Sequence, residues 1–136
     1  RNLILYFLDK HFPDPDHLVR PTDPLPIVVD EAEIRELFPT DDRLENYRAL
    51  NKAVREIGLN IPPLVNAYMA LSPEMRVFGT AINEDFGHVE ETGILIAIDE
   101  IIPDKRVRHI ETFDPDKAQS DLLWTNISRR VRLVKS

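Results

Sequence analysis

The stretch whose residue types are best suited to chemistry is a polar connection over residues 83–92, between two β-prone runs. It carries Asp85, His88, Glu90 and Glu91, and carboxylates and imidazoles are the groups that most often accept a proton in catalysis. The two glutamates precede an apolar run, so the pattern places them at the mouth of a strand. Because neighbouring side chains of a strand point to opposite faces, at most one of the two serves a site.

The residues alone leave two interpretations of this connection open. In the first, a glutamate or His88 is a general base and Asp85 orients a substrate. In the second, the connection is a solvated turn in which Asp85 caps the backbone and the other side chains are exposed. His17 and His109 have no partner at metal-ligand spacing, so the sequence predicts no metal site.

The composition limits the class of protein. A chain of 136 residues is long enough for one domain with a hydrophobic core. Its net charge of -7 argues against nucleic-acid binding, and the lack of cysteine excludes a thiolate nucleophile and a cysteine-based zinc site. No apolar run approaches the roughly 20 residues of a membrane-spanning helix. We therefore expect a cytoplasmic location, with the inner face of the membrane as the alternative.

Residues 1–12 predict a helix that is apolar nearly all round, with His11 as a packing residue at its end. The proline-rich segment 13–26 cannot be regular and predicts an extended surface crossing. Residues 27–29 follow as a short β-prone edge contact.

Two further helices are predicted by their caps and apolar spacing. Asp30 caps a short helix over residues 31–38, and Thr40 caps a longer one over residues 41–57. The inward stripe of the longer helix comprises Leu44, Tyr47, Leu50, Val54 and Ile57.

Pro62 and Pro63 suit the first turn of a fourth helix, because the N–H groups that they lack have no partner there. Its inward residues are predicted to be Leu64, Val65, Tyr68, Met69 and Leu71. A strand over residues 77–83 follows, with Gly79 marking a bulge or a close approach. Residues 92–98 are apolar enough to predict a strand buried on both faces, and residues 104–113 a closing helix.

Two strands are too few for a stable sheet that is covered on both sides. We therefore expect the sheet to be completed by an upstream half of the same protein or by a homo-oligomer partner. The chain opens at Arg1 inside an apolar run, which also favours a piece of a longer polypeptide.

Several runs of this sequence resemble a known family. They are Ile61 to Val65 with Ala67, Tyr68, Met69 and Leu71, and the longer stretches RNLILYFLDKHFPDPDHLVRP and FGTAINEDFGHVEETGILI. These runs resemble the C-terminal part of the hemolysin-named group that includes ornithine-lipid N-acyltransferases, and more specifically the Bacteroidetes glycine-lipid N-acyltransferase type. The resemblance covers residues 1–113. Residues 114–136 form a polar tail with a basic end.

The resemblance implies the C-terminal portion of a GNAT-like acyltransferase fold, an α+β arrangement with helices packed on a small mixed sheet. It implies transfer of a 3-hydroxyacyl chain from acyl carrier protein to the amine of an amino acid such as glycine, in aminolipid synthesis. No cofactor is implied beyond the acyl carrier protein thioester. Because the upstream half is missing, we expect the isolated chain to be inactive. The alternative is a non-catalytic packing or oligomerisation module.

The resemblance also assigns roles to residues. It places the family's acid beside the start of the second strand, which favours Glu91 as the base, with His88 as the alternative. Residue type, and not the resemblance, suggests the substrate contacts Asp85, Glu90, Asn66, Tyr68 and Arg76, with Arg76 meeting the carboxylate of the amino acid. Each has a structural alternative, such as a core tyrosine for Tyr68 and a surface arginine for Arg76.

The basic end of the chain comprises Arg129, Arg130, Arg132 and Lys135. Such an end contacts acidic proteins or, as a peripheral membrane contact, anionic lipid heads. The alternative is a solvated tail.

Overall fold

The computed structural model describes residues 1–107, and residues 108–136 lie outside the described part. The described elements are α1 (Asn2–His11), α2 (Glu31–Leu37), α3 (Arg43–Glu56), α4 (Pro63–Leu71), β1 (Arg76–Asn83), β2 (Val89–Leu95) and α5 (Pro103–Arg106). Helices with a small sheet confirm the predicted α+β class. Residues Arg1–Ile101 form one compact unit, and α5 lies outside this unit. Most of the predicted helix 104–113 and the polar tail lie outside the described residues.

The N-cap residues of α2 and α3 can be compared with the predicted ones. The carboxylate of Asp30 accepts hydrogen bonds from the backbone N–H groups of Ala32 and Glu33 in the first turn of α2, so this predicted cap is confirmed. The predicted cap of α3, Thr40, is wrong: Asp42 is the N-cap and accepts the N–H of Glu45 at 2.8 Å. The hydroxyl of Thr40 instead donates to the carboxylate of Glu45 at 3.1 Å. Both candidates are good capping types, and the start of the helix decides between them.

The core is an aromatic cluster between α1 and α3. The ring of Phe7 lies 6.4 Å from that of Phe12 and 6.2 Å from those of Phe38 and Tyr47. Contacts at these distances bury large apolar areas and favour tilted ring pairs. The buried apolar residues of the core are Phe7, Leu8, Phe12, Ile34, Phe38, Leu50, Val54, Ile61, Met75 and Val77.

The predicted inward stripes are correct in the middle of the helices and wrong at their ends. Leu50 and Val54 of α3 are buried, whereas Leu44 in its first turn and Ile57 at its C-cap are 57% and 68% exposed. Leu64, in the first turn of α4, is also exposed. A helical period identifies a face, but it does not show how much of that face the neighbouring elements cover.

The sheet is a two-stranded antiparallel hairpin among the described residues, where a mixed sheet was expected. Val77 pairs with Ile94 and Asn83 with Val89, and a bulge interrupts the register before Gly79. Gly79 has φ 108°, and a Cβ there would lie 3.3 Å from the ring of Pro21. The bulge and the close approach predicted at Gly79 are therefore both confirmed.

The second strand corrects the prediction of a strand buried on both faces over residues 92–98. Ile94 and Ile96 are partly buried and pack against the core, whereas Leu95 and Ile98 are 39% and 55% exposed. The strand ends at Leu95, and Ile98 begins a 3-10 turn. Within Arg1–Ile101 the core lies against one face of the hairpin only, so the apolar run alternates between a covered inner face and an open outer face.

The proline-rich segment lies along the edge of β1. Residues 27–29, predicted to make the edge contact, are not paired, and the β-bridge instead joins Pro24 to Ala81. The N–H of Leu25 donates to the carbonyl of Thr80 at 2.7 Å. The edge contact exists, but it lies earlier in the chain because Leu25, between two prolines, supplies the N–H that they lack.

Candidate functional site

The polar connection forms the tip of the hairpin. Asp85 lies in the 3-10 turn Glu84–Phe86, and Gly87 and His88 then reverse the chain with φ of 75° and 56°. A left-handed conformation is uncommon for a residue other than glycine, and histidine is among the types that tolerate it. Asp85 and His88 are both exposed, so each can reach solvent or a bound molecule.

The two glutamates lie on opposite faces of the hairpin, as strand alternation predicts. Glu90 pairs with Ile82 and forms an ion pair with Arg1, at the start of α1. Glu91 pairs with Ala81 on the outer face, where its carboxylate accepts a hydrogen bond from the amide of Asn83 at 3.1 Å. Glu90 is therefore held by a cation, and Glu91 is an exposed carboxylate oriented by a neutral donor.

The outer face around Glu91 is apolar and open. Gly93 follows on the same face, and a Cβ built there would lie 3.3 Å from the side chain of Phe78, so that ring covers the glycine. Leu95 and Val89 are exposed on this face, on either side of Glu91. An exposed carboxylate can accept a proton from a substrate amine, and the apolar side chains beside it can contact an acyl chain.

The other predicted contacts are distributed over the fold. Asn66 accepts a hydrogen bond from the hydroxyl of Tyr47 at 2.8 Å, which joins α4 to α3. Tyr68 is partly buried and packs against the core. These described contacts make Asn66 and Tyr68 packing residues of the helical side, and their substrate roles stay predictions.

Arg76 is already engaged by carboxylates of the chain itself. Its guanidinium donates to Asp14 at 3.3 Å and also to Asp16. The hydrogen bond to Asp16 is the main cause that raises the pKa of Arg76 further above its ordinary value. Arg76 therefore ties the proline-rich segment to β1, and a substrate carboxylate would have to displace these aspartates.

A second polar cluster joins α1 to α3, around His11. His11 packs against Phe7 with ring centroids 4.7 Å apart, and its Nε2 lies 2.9 Å from the side-chain nitrogen of Asn46. That amide also donates to the carbonyl of Thr40 at 2.9 Å, so His11 accepts the hydrogen bond and is neutral. Burial, followed by Lys10 and Arg43, lowers the pKa of His11.

Sequence reasoning missed the partners of the candidate residues more than the residues themselves. Asn83, Tyr47, Asp14 and Asp16 each hold a predicted side chain in place. Asn83 could have been found by folding the hairpin about Gly87, since that register puts it diagonally opposite Glu91. The aspartates had no signal of this kind, because they are separated from Arg76 by sixty residues or more.

Residues 1–107 contain no group of three or more histidine, aspartate or glutamate side chains arranged to hold a metal ion. None of the helices in residues 1–107 is long and apolar enough to cross a bilayer.

The chain is similar to two curated proteins named glycine N(alpha)-acyltransferase. It is 61% identical over 113 residues to the one from Bacteroides thetaiotaomicron and 62% identical over 113 residues to the one from Phocaeicola vulgatus. Each match covers 83% of this chain, and 34% and 35% of the respective relatives. The chain thus spans about a third of the length of the curated relatives that it matches. No protein-family profile and no solved structure matches it.

Proposed function

We propose that this chain is part of an N-acyltransferase that attaches an acyl chain to the amine of glycine. One observation carries the proposal, namely identity of 61–62% over 113 residues to two proteins with that name. Because the chain spans about a third of those relatives, the activity belongs to the whole protein. The shared name favours this function over a non-catalytic packing or oligomerisation module.

The reaction defines what the chain must supply. The ammonium of glycine loses a proton, its nitrogen attacks the thioester carbonyl, a C–N bond forms, and the C–S bond breaks to release the thiol. Glu91 is the proposed base, because its carboxylate is exposed on the outer face and is oriented by Asn83 at 3.1 Å. His88 is the alternative base at the same tip, and Asp85 is the proposed contact for the amine.

The finer features of the proposal come from the family resemblance. The acyl donor is a 3-hydroxyacyl thioester of acyl carrier protein, the product enters aminolipid synthesis, and the domain has a GNAT-like fold. Helices packed on one face of an antiparallel hairpin are compatible with that fold. The open outer face leaves room for the further part of the domain that the relatives' greater length implies.

A chimaeric enzyme tests this proposal. The 113-residue stretch of the Bacteroides thetaiotaomicron relative is replaced by the matching stretch of this chain, and acylation of glycine by an acyl carrier protein thioester is measured. We expect turnover within about tenfold of the parent enzyme, since 61% of the positions are identical. This chain by itself is expected to be inactive.

The control is a chimaera that carries Glu91→Gln. If the chimaera without this substitution folds but has no activity, the proposed function is contradicted. A folded chimaera that stays active with Glu91→Gln would remove Glu91 from the mechanism and direct attention to His88.

A further inference from the structure

The exposed face of α3 carries a row of cations. Arg48, Lys52 and Arg55 are spaced four and three residues apart, so they lie on one face of the helix, opposite the buried Leu50 and Val54. With Asn51 and Glu56 they line a shallow surface depression. We name the row formed by Arg48, Lys52 and Arg55 the cationic row of α3.

The charge of this row is largely uncompensated. Neither Arg48 nor Arg55 forms an ion pair with any described residue, and Lys52 meets Glu56 at 3.9 Å, where both side chains are highly exposed. Exposed pairs of this kind contribute little and leave the cation accessible. Arg1 is engaged by Glu90 and Arg76 by two aspartates, whereas Arg20 is exposed and has no ion pair with a described residue either.

A local positive surface on a chain with net charge -7 is complementary to a negatively charged partner. The three cations lie within eight residues of helix, Arg48 to Arg55, and are spread over about 10 Å at 1.5 Å per residue. An acidic helix with carboxylates at the same spacing would present two turns of matching charge, and each arginine fork can bind a carboxylate through two hydrogen bonds.

We propose that the cationic row of α3 is the docking surface for an acidic helix of the protein that delivers the acyl thioester. This inference rests on the proposed function for the identity of that partner, which is an acyl carrier protein. The row itself is a property of α3 and takes no part in the chemistry at the hairpin tip.

An anionic bilayer is a poorer fit to the same surface. Helices that bind a membrane surface insert a broad apolar face between their cations. Between Arg48 and Arg55 this face carries only polar and charged side chains, and Glu56 lines the same depression. A folded acidic protein can offer a donor to Glu56, whereas a bilayer of anionic lipid repels it.

Binding of the 136-residue chain to acyl carrier protein without an acyl group tests the docking surface separately from catalysis. Calorimetry at low salt is expected to detect binding that weakens as salt is raised. We expect Arg48→Glu to weaken binding about tenfold, and the triple variant Arg48→Glu, Lys52→Glu, Arg55→Glu about a hundredfold or more. Arg20→Glu is the matched control, since it makes the same change of charge at an exposed position away from α3.

The same variants are then placed in the chimaeric enzyme. The triple variant is expected to raise the KM for the acyl carrier protein thioester and to leave kcat unchanged, whereas Arg20→Glu changes neither. Circular dichroism shows that each variant keeps its helix content, and the conservative Arg48→Lys is expected to retain binding.

The outcomes separate the two proposals. Salt-sensitive binding that is lost in the triple variant supports the docking surface even if the chimaera is inactive, in which case only the proposed function fails. An active chimaera whose KM and binding are the same with and without the cationic row overturns the docking surface. Adsorption to phosphatidylglycerol vesicles without binding to acyl carrier protein also overturns it.

Discussion

The two polar clusters of this molecule, around His11 and around Glu91, differ in what surrounds them. His11 contacts a phenylalanine ring and a buried amide, next to the aromatic core. Glu91 lies on an open strand face and has one hydrogen bond to Asn83. The first cluster is built to hold helices together, and the second leaves its charged group accessible.

This difference shows why residue type alone does not identify a functional group. Histidine is the more usual general base, yet His11 accepts a hydrogen bond from Asn46 inside the fold and is committed there. The side-chain oxygen of Asn46 finds no donor among the described residues, so this amide is held through its nitrogen alone, by His11 and the carbonyl of Thr40. The accessible carboxylate is the better candidate for chemistry.

The largest expected effect is the difference in stability loss between a variant in the core and a variant in the hairpin. Phe7 is 1% exposed and Phe86 is 73% exposed. We expect Phe7→Ala to lower the free energy of unfolding by about 3–5 kcal/mol, since it removes a ring from the buried core, and Phe86→Ala to change it by less than about 0.5 kcal/mol. Urea denaturation of the two variants measures this, and equal losses would break the comparison.

The next effect separates the two faces of the hairpin by activity. In the chimaeric enzyme, Glu91→Gln is expected to reduce turnover about a hundredfold or more, because the amine then keeps its proton. Glu90→Gln is expected to change turnover little, since Glu90 faces α1 and pairs with Arg1. If the two variants lose activity equally, the outer face is not the working face.

A smaller effect concerns pH and the His11 cluster. The pKa of His11 is lowered in the folded chain, so the unfolded chain binds the proton more readily. The contribution to stability is complete above the ordinary value of 6.5 and is lost as the pH falls from there toward the lower folded value. We expect denaturation midpoints to decrease between pH 7 and pH 5.

The matched variant for this effect is His11→Gln, which keeps an acceptor for Asn46 and does not titrate. This variant is expected to reduce the change of the denaturation midpoint between pH 7 and pH 5. The raised pKa of Asp9 acts in the opposite direction nearer its ordinary value of 3.8, so the comparison is made above pH 5. An unchanged slope in His11→Gln would assign the dependence to another group.

The smallest effect tests the backbone of the hairpin tip. His88 has a left-handed conformation that costs an L-residue about 1 kcal/mol and costs glycine nothing. His88→Gly is expected to raise stability by up to about 1 kcal/mol, while Gly87→Ala, which meets no atom within 4 Å, lowers it by about 1 kcal/mol. Thermal denaturation measures both, and a stability loss in His88→Gly would indicate that its side chain makes a stabilising contact.

The helices and the hairpin could be predicted from the sequence because their signals are local. Asp30 before an apolar period, Pro62 and Pro63 before another, and Gly79 in a strand each act through neighbouring residues. The exposure of Leu44 could not be predicted in this way, since it depends on how far neighbouring elements extend.

The candidate site could be predicted in its residues but not in its connections. Opposite faces for Glu90 and Glu91 follow from strand geometry, and the structure has them so. The partners Arg1 and Asp16 come from distant parts of the chain, and no local pattern pairs them with Glu90 and Arg76. The expected burial of residues 92–98 was wrong because apolar content does not report which faces are covered.

The bridge between Pro24 and Ala81 limits where a further strand can pair with this hairpin. Leu25 gives its N–H to Thr80, and the prolines at 21, 24 and 26 have none to offer on the far side. The edge of β1 at Thr80 and Ala81 is therefore already occupied and is closed to pairing with another strand. Among the described residues, the outer edge of β2, which carries Glu91, is the edge of the hairpin with no strand paired to it.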